Sequence, residues 1–370
     1  MSALPVEPTT AKIVEYKSVQ SLRAVAALLV ALMHIIYFYV ASMKYLGGPM
    51  PILATFHNFK GFGGCGVAIF FVISGFIMAY LQSIGETTKF SDFMLKRITR
   101  VVPLYWITTI AWAYVINSPG SFELSRVLES LFFIPREDNT AVNGPGWTLN
   151  FEMFFYVLFG VVTLVFRVST IWIGIVFVVM AALGEATGFY VFTLYTDPIV
   201  WCFVAGIVIF HIHRFPFVRR EATAIFWLGV LLLFSAIFYH QADSSRGVRQ
   251  FLPWGVPSML IVLGAVGMEA AGKGMRLFGS RIVLQLGAAS YALYLTHSLC
   301  FVGISLVLLY KIKVQNYVGP DGAILVYLLV CVAVGMLTHW LVEKPVTKLM
   351  RKLMPRKPAR LPTNTEPAGR

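Results

Sequence analysis

SLRAVAALLVALMHIIYFYV, residues 21–40, decides the class of this chain. Seventeen of these twenty residues suit a hydrocarbon environment, and the length is what a helix needs to cross a bilayer. The exceptions are Ser21, Arg23 and His34. Working outward, apolar runs of similar length recur up to residue 342. The 370 residues are 58% hydrophobic and only 13% charged, about half the charged fraction of a soluble domain. The sequence therefore predicts an all-α, polytopic integral membrane protein. A transmembrane barrel would show shorter segments of alternating polarity.

Ten spans are expected, near residues 21–40, 63–82, 101–117, 147–166, 169–186, 197–212, 223–240, 253–271, 284–309 and 322–342. With the N-terminus inside, 22 of the 30 Lys and Arg residues fall on the inner side, so the positive-inside rule gives N-in/C-in topology. The expected organisation is a cytoplasmic N-terminal segment (1–20), a transmembrane domain (21–342) and a basic cytoplasmic tail (343–370), disordered at its end. With a polar start before a run long enough to span, a cleavable signal peptide is not expected. The net charge of +13 is placed for anionic lipid headgroups and gives no reason to expect nucleic acid. Cys65, Cys202, Cys300 and Cys331 have no paired spacing and read as packing residues, and no metal-site pattern is present.

Eleven residues separate Arg23 from His34. That is about three turns, so both share one helix face about 16 Å apart along the axis. Arg23 suits a snorkelling anchor at the inner surface, and His34 either bonds a neighbouring helix or works chemically. Glu152, in GPGWTLNFEMFFYVLF, lies five residues past Trp147, about 7–8 Å below the outer side, while His34 lies about 9 Å below it. The depths match, and the pair is expected to form a general-base unit in which the carboxylate orients the imidazole. A buried ion pair that fixes packing is the plainer alternative.

KRITRVVPLYW, residues 96–106, places Arg97 and Arg100 on one face at the inner mouth of the third span. Two guanidiniums there suit phosphate recognition, and they equally suit a topology anchor. Ser74 lacks a visible base and is not expected to be a nucleophile. Tyr291, Tyr294 and His297, in ASYALYLTHSL, are expected either to line a polar cavity or to satisfy one another. His339 and Glu343 read as an end cap, and His211 and His213 carry no assignment.

Together these residues resemble acyltransferase family 3, membrane proteins that move acyl groups, commonly acetyl, onto carbohydrate hydroxyls. The resemblance runs from about residue 17 to 350. It rests on Arg23 with His34, FFVISGF at 70–76, Arg97-x-x-Arg100-x-x-Pro103-x-Tyr105, Trp147 with Glu152, YALYLTH at 291–297, and Glu343-Lys344-Pro345. By it, His34 matches the family's essential histidine, Arg23 its paired arginine, and Arg97 and Arg100 its basic motif. Glu152 matches the glutamate of a Trp-Ser-x-x-x-Glu element, although Thr148 replaces the serine and Met153 a second acidic residue. WTLNFEMFFY looks like the exopolysaccharide O-acetyltransferase subgroup.

The resemblance implies an inner-membrane O-acyltransferase of bacteria using acetyl-CoA as donor and no metal. Its acceptor would be a carbohydrate or lipid-linked sugar. His34 and Glu152 would be catalytic, Arg23, Arg97 and Arg100 would hold the donor, and Trp147, Tyr294 and His297 would bind acceptor. The rival reading is a polysaccharide or lipid-linked sugar transporter, or a proton-coupled carrier, since intramembrane His, Glu and Arg also build proton relays. No internal repeat supports it.

Overall fold

The structure is a computed structural model that describes residues 15–55, 62–86, 88–116, 123–136, 141–239 and 248–353. The basic, Pro-rich tail after residue 353 and most of the N-terminal segment lie outside the described residues. Within them the chain is helical and has no strand. The first half comprises α1 (Lys17–Leu46), α2 (Gly63–Ser83), α3 (Phe90–Ile116), α4 (Leu124–Leu131), α5 (Trp147–Gly160), α6 (Ile171–Thr187), α7 (Tyr190–Tyr195) and α8 (Trp201–Ile212). The second comprises α9 (Pro216–Tyr239), α10 (Val248–Ala270), α11 (Met275–Phe278), α12 (Arg281–Ala288), α13 (Ser290–Ser305), α14 (Gln315–Thr338) and α15 (Lys344–Leu353).

Six helical stretches among the described residues are long and apolar enough to cross a membrane, and α6 and Pro198–Ile212 are shorter apolar helices. This is a multi-pass membrane protein. The expected ninth span is not one helix: α12 ends at Ala288 and α13 begins at Ser290. Large apolar side chains face outward on α6 (Trp172, Val178) and α9 (Trp227, Leu231, Phe234), as a lipid-facing surface requires.

The first helix, α1, is the hub, packed against α2, α10, α12, α13 and α14. Ala24, Ala26, Ala27 and Ala31 are almost fully buried on it, and small residues let neighbouring backbones approach. Its N-terminus is held from another helix. The carboxylate of Glu269, at the end of α10, accepts from the backbone N–H groups of Lys17 (2.9 Å) and Ser18 (2.8 Å) and from Ser18 Oγ (2.5 Å). An anion there satisfies orphan donors and complements the helix dipole.

Helices α2 and α8 meet at Gly75 and Gly206, each pressed against the other helix's backbone, at Phe203 and Val72 respectively. The Phe71 and Phe155 rings stack on Phe203, at 4.2 and 4.3 Å between centroids. A Cβ on Gly75 would overlap the Phe203 carbonyl, so Gly75→Ala forces the helices apart. Overpacking of this kind costs about 1–3 kcal/mol. The expected outcome is a lower unfolding temperature in detergent micelles, and an unchanged one would contradict this crossing.

Candidate functional site

Basic residues from several helices gather at one end of the bundle around a cavity of about 1610 Å³. Eight cationic side chains line it against three carboxylates, Glu15, Glu86 and Glu343. Glu86 is paired with Lys96 at 2.5 Å. Glu343 is paired with His339, whose Nδ1 lies 2.6 Å from Oε2. Among the described residues no ion pair is made by Arg23, Arg97 or Arg100, nor by Lys344, Lys348, Arg351 or Lys352.

At its inner end this vestibule narrows. Arg23, Ile77, Arg97 and Arg100 line both the vestibule and a slender cleft of about 80 Å³ that runs deeper into the bundle. Arg97 is only 9% exposed, and its Nε has no hydrogen-bond partner. Its guanidinium lies 5.7 Å from the Phe93 ring centroid and 5.8 Å from that of Tyr156, which fixes its orientation through cation–π attraction. Arg97 and Arg100 are one turn apart on α3, as their spacing predicts.

The cleft's polar floor is built from α2, α5 and α13. Glu152 accepts from Ser74 Oγ at 3.2 Å and from the Tyr156 hydroxyl. Tyr294 shares a 2.7 Å hydrogen bond with Thr148 and donates to the Pro145 carbonyl at 3.2 Å. The Tyr291 hydroxyl donates to the Val101 carbonyl on α3 at 2.7 Å, which fixes a third cleft-lining ring. Ser74 therefore does have a carboxylate beside it, contrary to the sequence reading.

The structure does not join His34 to Glu152. Among the described residues no hydrogen bond or ion pair links them. The chain dips into the bundle before Trp147, so distance from Trp147 does not measure depth from the outer side. Asn143 is fully buried, its Nδ2 donating to Thr108 Oγ1 and to the Leu295 carbonyl, each at 3.3 Å. A short 3₁₀ turn, Gly144–Gly146, then leads into α5 with Pro145 and Gly146 buried. Irregular backbone is stable at membrane depth only where protein encloses it. Glu152 starts from that buried level and reaches the arginine neck.

The partner of His34 is His297, with ring centroids 5.0 Å apart. Nδ1 of His34 lies 2.9 Å from the Val30 carbonyl. A carbonyl only accepts, so Nδ1 carries the hydrogen and Nε2 is left to bind a proton. His297 is fully buried, its Nδ1 3.3 Å from the Leu293 carbonyl and its Nε2 without a partner. Its ring lies 6.0 Å from that of Tyr294, so the histidine pair continues the line begun by the arginine neck and the cleft. Trp147 does not line the cleft. It packs edge-on against Phe151 at 5.8 Å.

His339 and Glu343 line the vestibule on a π-helical segment, His339–Glu343, between α14 and α15. The end-cap reading missed this, although π-turns often mark functional sites. Tyr156 was missed too. The Glu152–Tyr156 spacing, four residues on one helix, was the available signal. The four cysteines are free and buried. Among the described residues no group of three or more His, Cys, Asp and Glu is placed to hold a metal ion.

The chain matches the acyltransferase domain of acyltransferase family 3 over residues 16–340. It is 30% identical to the exopolysaccharide production protein ExoZ of Rhizobium meliloti (strain 1021), over 80% of this chain and 92% of that protein. It is 30% identical to an O-acetyl transferase of Shigella phage Sf6, over 38% of this chain and 43% of that one. It is also 25% identical to the acyltransferase MdmB of Streptomyces mycarofaciens, over 93% and 95% of the two chains. No solved structure matches the chain. A buried polar cleft fed by a basic vestibule and the match along nearly the whole chain lead to one conclusion: the protein belongs to acyltransferase family 3 and is an O-acyltransferase.

Proposed function

We propose that this enzyme moves acetyl from acetyl-CoA to a hydroxyl of an exopolysaccharide or lipid-linked sugar. Its setting is the bacterial inner membrane, with ten spans, both termini cytoplasmic, and residues 21–342 as the catalytic domain. The observation that carries this reading is the neck at Arg97. Cations that mostly make no ion pair line a wide vestibule of about 1610 Å³, which leads past the arginines into a much smaller cleft of about 80 Å³. Acetyl-CoA has that shape: a polyanionic head on a slender arm that ends in the thioester. Guanidiniums suit its phosphates. The names of the relatives support the rest, since one is an exopolysaccharide production protein and another an O-acetyl transferase.

In this reading His34 Nε2 takes the proton of the acceptor hydroxyl as its oxygen attacks the thioester carbonyl. The C–S bond breaks, and the departing CoA sulfur takes up the proton, giving the acetyl ester and free CoA thiol. The Val30 carbonyl, and not Glu152, orients the imidazole. Glu152 sits among the arginines of the neck and balances their charge. Tyr294 and His297 flank the acceptor side, and Trp147 backs the cleft wall at Phe71 through Phe151.

The test uses the full chain in lipid nanodiscs with radiolabelled acetyl-CoA and bacterial glycolipids. The expected result is label in carbohydrate matched by release of free CoA thiol. Neither thioester cleavage nor donor binding would turn the reading to a carrier.

A further inference from the structure

The donor reading leaves four vestibule cations without a task. Lys344, Lys348, Arg351 and Lys352 line the cavity, all on α15, at spacings of four, three and one. Those spacings put them on one helix stripe. The opposite face carries Val346, Leu349 and Leu353, of which Leu349 and Leu353 are 57% and 72% exposed. Leu349 and Leu353 turn outward and Val346 packs toward α3, while the four cations, themselves exposed, border the same space as Arg23 and Arg97.

The vestibule's free positive charge falls into two groups, one at the neck on α1 and α3 and one at the rim on α15. A CoA donor also carries its negative charge in two groups, the diphosphate and the ribose 3′-phosphate. We propose that α15 is a subsite for a phosphomonoester, the 3′-phosphate of the donor, so that the enzyme distinguishes CoA thioesters from their 3′-dephospho analogues. This rests on the donor assignment above. Diphosphate at the buried Arg97 neck sends the thioester arm into the cleft and leaves the nucleotide end in the vestibule. There Tyr16 and Tyr80, rings 5.5 Å apart edge to face, form part of the lining and offer aromatic surface to adenine.

The test measures binding of acetyl-CoA and acetyl-3′-dephospho-CoA to the full chain in phosphatidylcholine and in phosphatidylglycerol nanodiscs. Charge-assisted contacts of this kind predict that wild type prefers the phosphorylated donor by about tenfold to a hundredfold. The Lys348→Ala/Arg351→Ala variant should bring that ratio close to one. Both substitutions are on an exposed helix with no buried residue, so the fold should survive. Arg97→Lys should weaken both donors and keep the ratio. Equal binding of the two donors by wild type overturns the subsite, as does a double variant that keeps the wild-type ratio. A preference seen in phosphatidylcholine but lost in phosphatidylglycerol assigns α15 to lipid phosphate and also overturns it. If wild type binds neither donor, the donor assignment itself fails.

Discussion

His34→Gln lowers acetyl transfer by about 10²–10⁴-fold, the range that a positioned general base contributes, and leaves the KM for acetyl-CoA near its wild-type value. His34 is three turns from Arg23 along α1 and does not line the arginine neck, so losing its imidazole removes no contact to the donor's phosphates. Glutamine keeps polarity and nearly the same bulk in a half-buried position, but no atom of it can take a proton near neutral pH. The loss should therefore fall on kcat. Initial rates at varied donor concentration, with the thermal unfolding curve of each protein alongside, separate this from misfolding. A variant that retains transfer within a few fold would remove His34 as the base. A companion substitution, His297→Asn, tests the neighbour 5.0 Å away: a base acting alone would barely register it, whereas a proton shared between the rings would shift the pH profile of kcat.

Much of this arrangement was legible in the sequence. The long apolar runs gave the class, because a twenty-residue stretch without compensating polarity has few other solutions. Arg23, Arg97, Arg100 and Glu152 stood out since ionisable groups beside apolar runs are costly and seldom idle. The pairing of these groups was not legible. Depth in the bilayer was inferred from distance to the end of a span, set at Trp147, just after GPG at 144–146. In the fold that turn is buried, held by Asn143 and by the Tyr294 bond to Pro145, and everything after it starts deeper. The contact of His34 with His297 spans 263 positions and has no local signal. The basic stripe on α15 did have one, in the spacing of its lysines and arginine, but the segment was read as a tail.

The structure also separates two groups that the sequence joins in one expected unit. The carboxylate lines the cleft with the neck arginines, and the imidazole pair sits beyond Tyr294. Charge is concentrated where a donor's anions would enter, while the deeper end is lined by neutral, hydrogen-bonded side chains. An acyl group in transit is itself neutral, so a cleft floored by Tyr291, Tyr294 and Thr148 suits its passage better than one floored by cations.

Arg97 is where that division can be measured. A guanidinium that is 9% exposed, with an unpartnered Nε and no ion pair among the described residues, is expensive to bury, and the single carboxylate of Glu152 shares its cleft with three arginines. An arriving anion offsets more of that cost. Arg97→Ala should raise the KM for acetyl-CoA by about 30- to 1000-fold, which corresponds to about 2–4 kcal/mol of lost charge-assisted contact. Much of the rate should return at saturating donor, because His34 is untouched. Arg97→Lys restores charge without the planar fork and should lie between the two. Donor-induced thermal stabilisation should shrink in step with affinity. A KM within twofold of wild type, or a variant that loses kcat but not donor affinity, would move Arg97 out of the donor's path and leave it as packing around Phe93 and Tyr156.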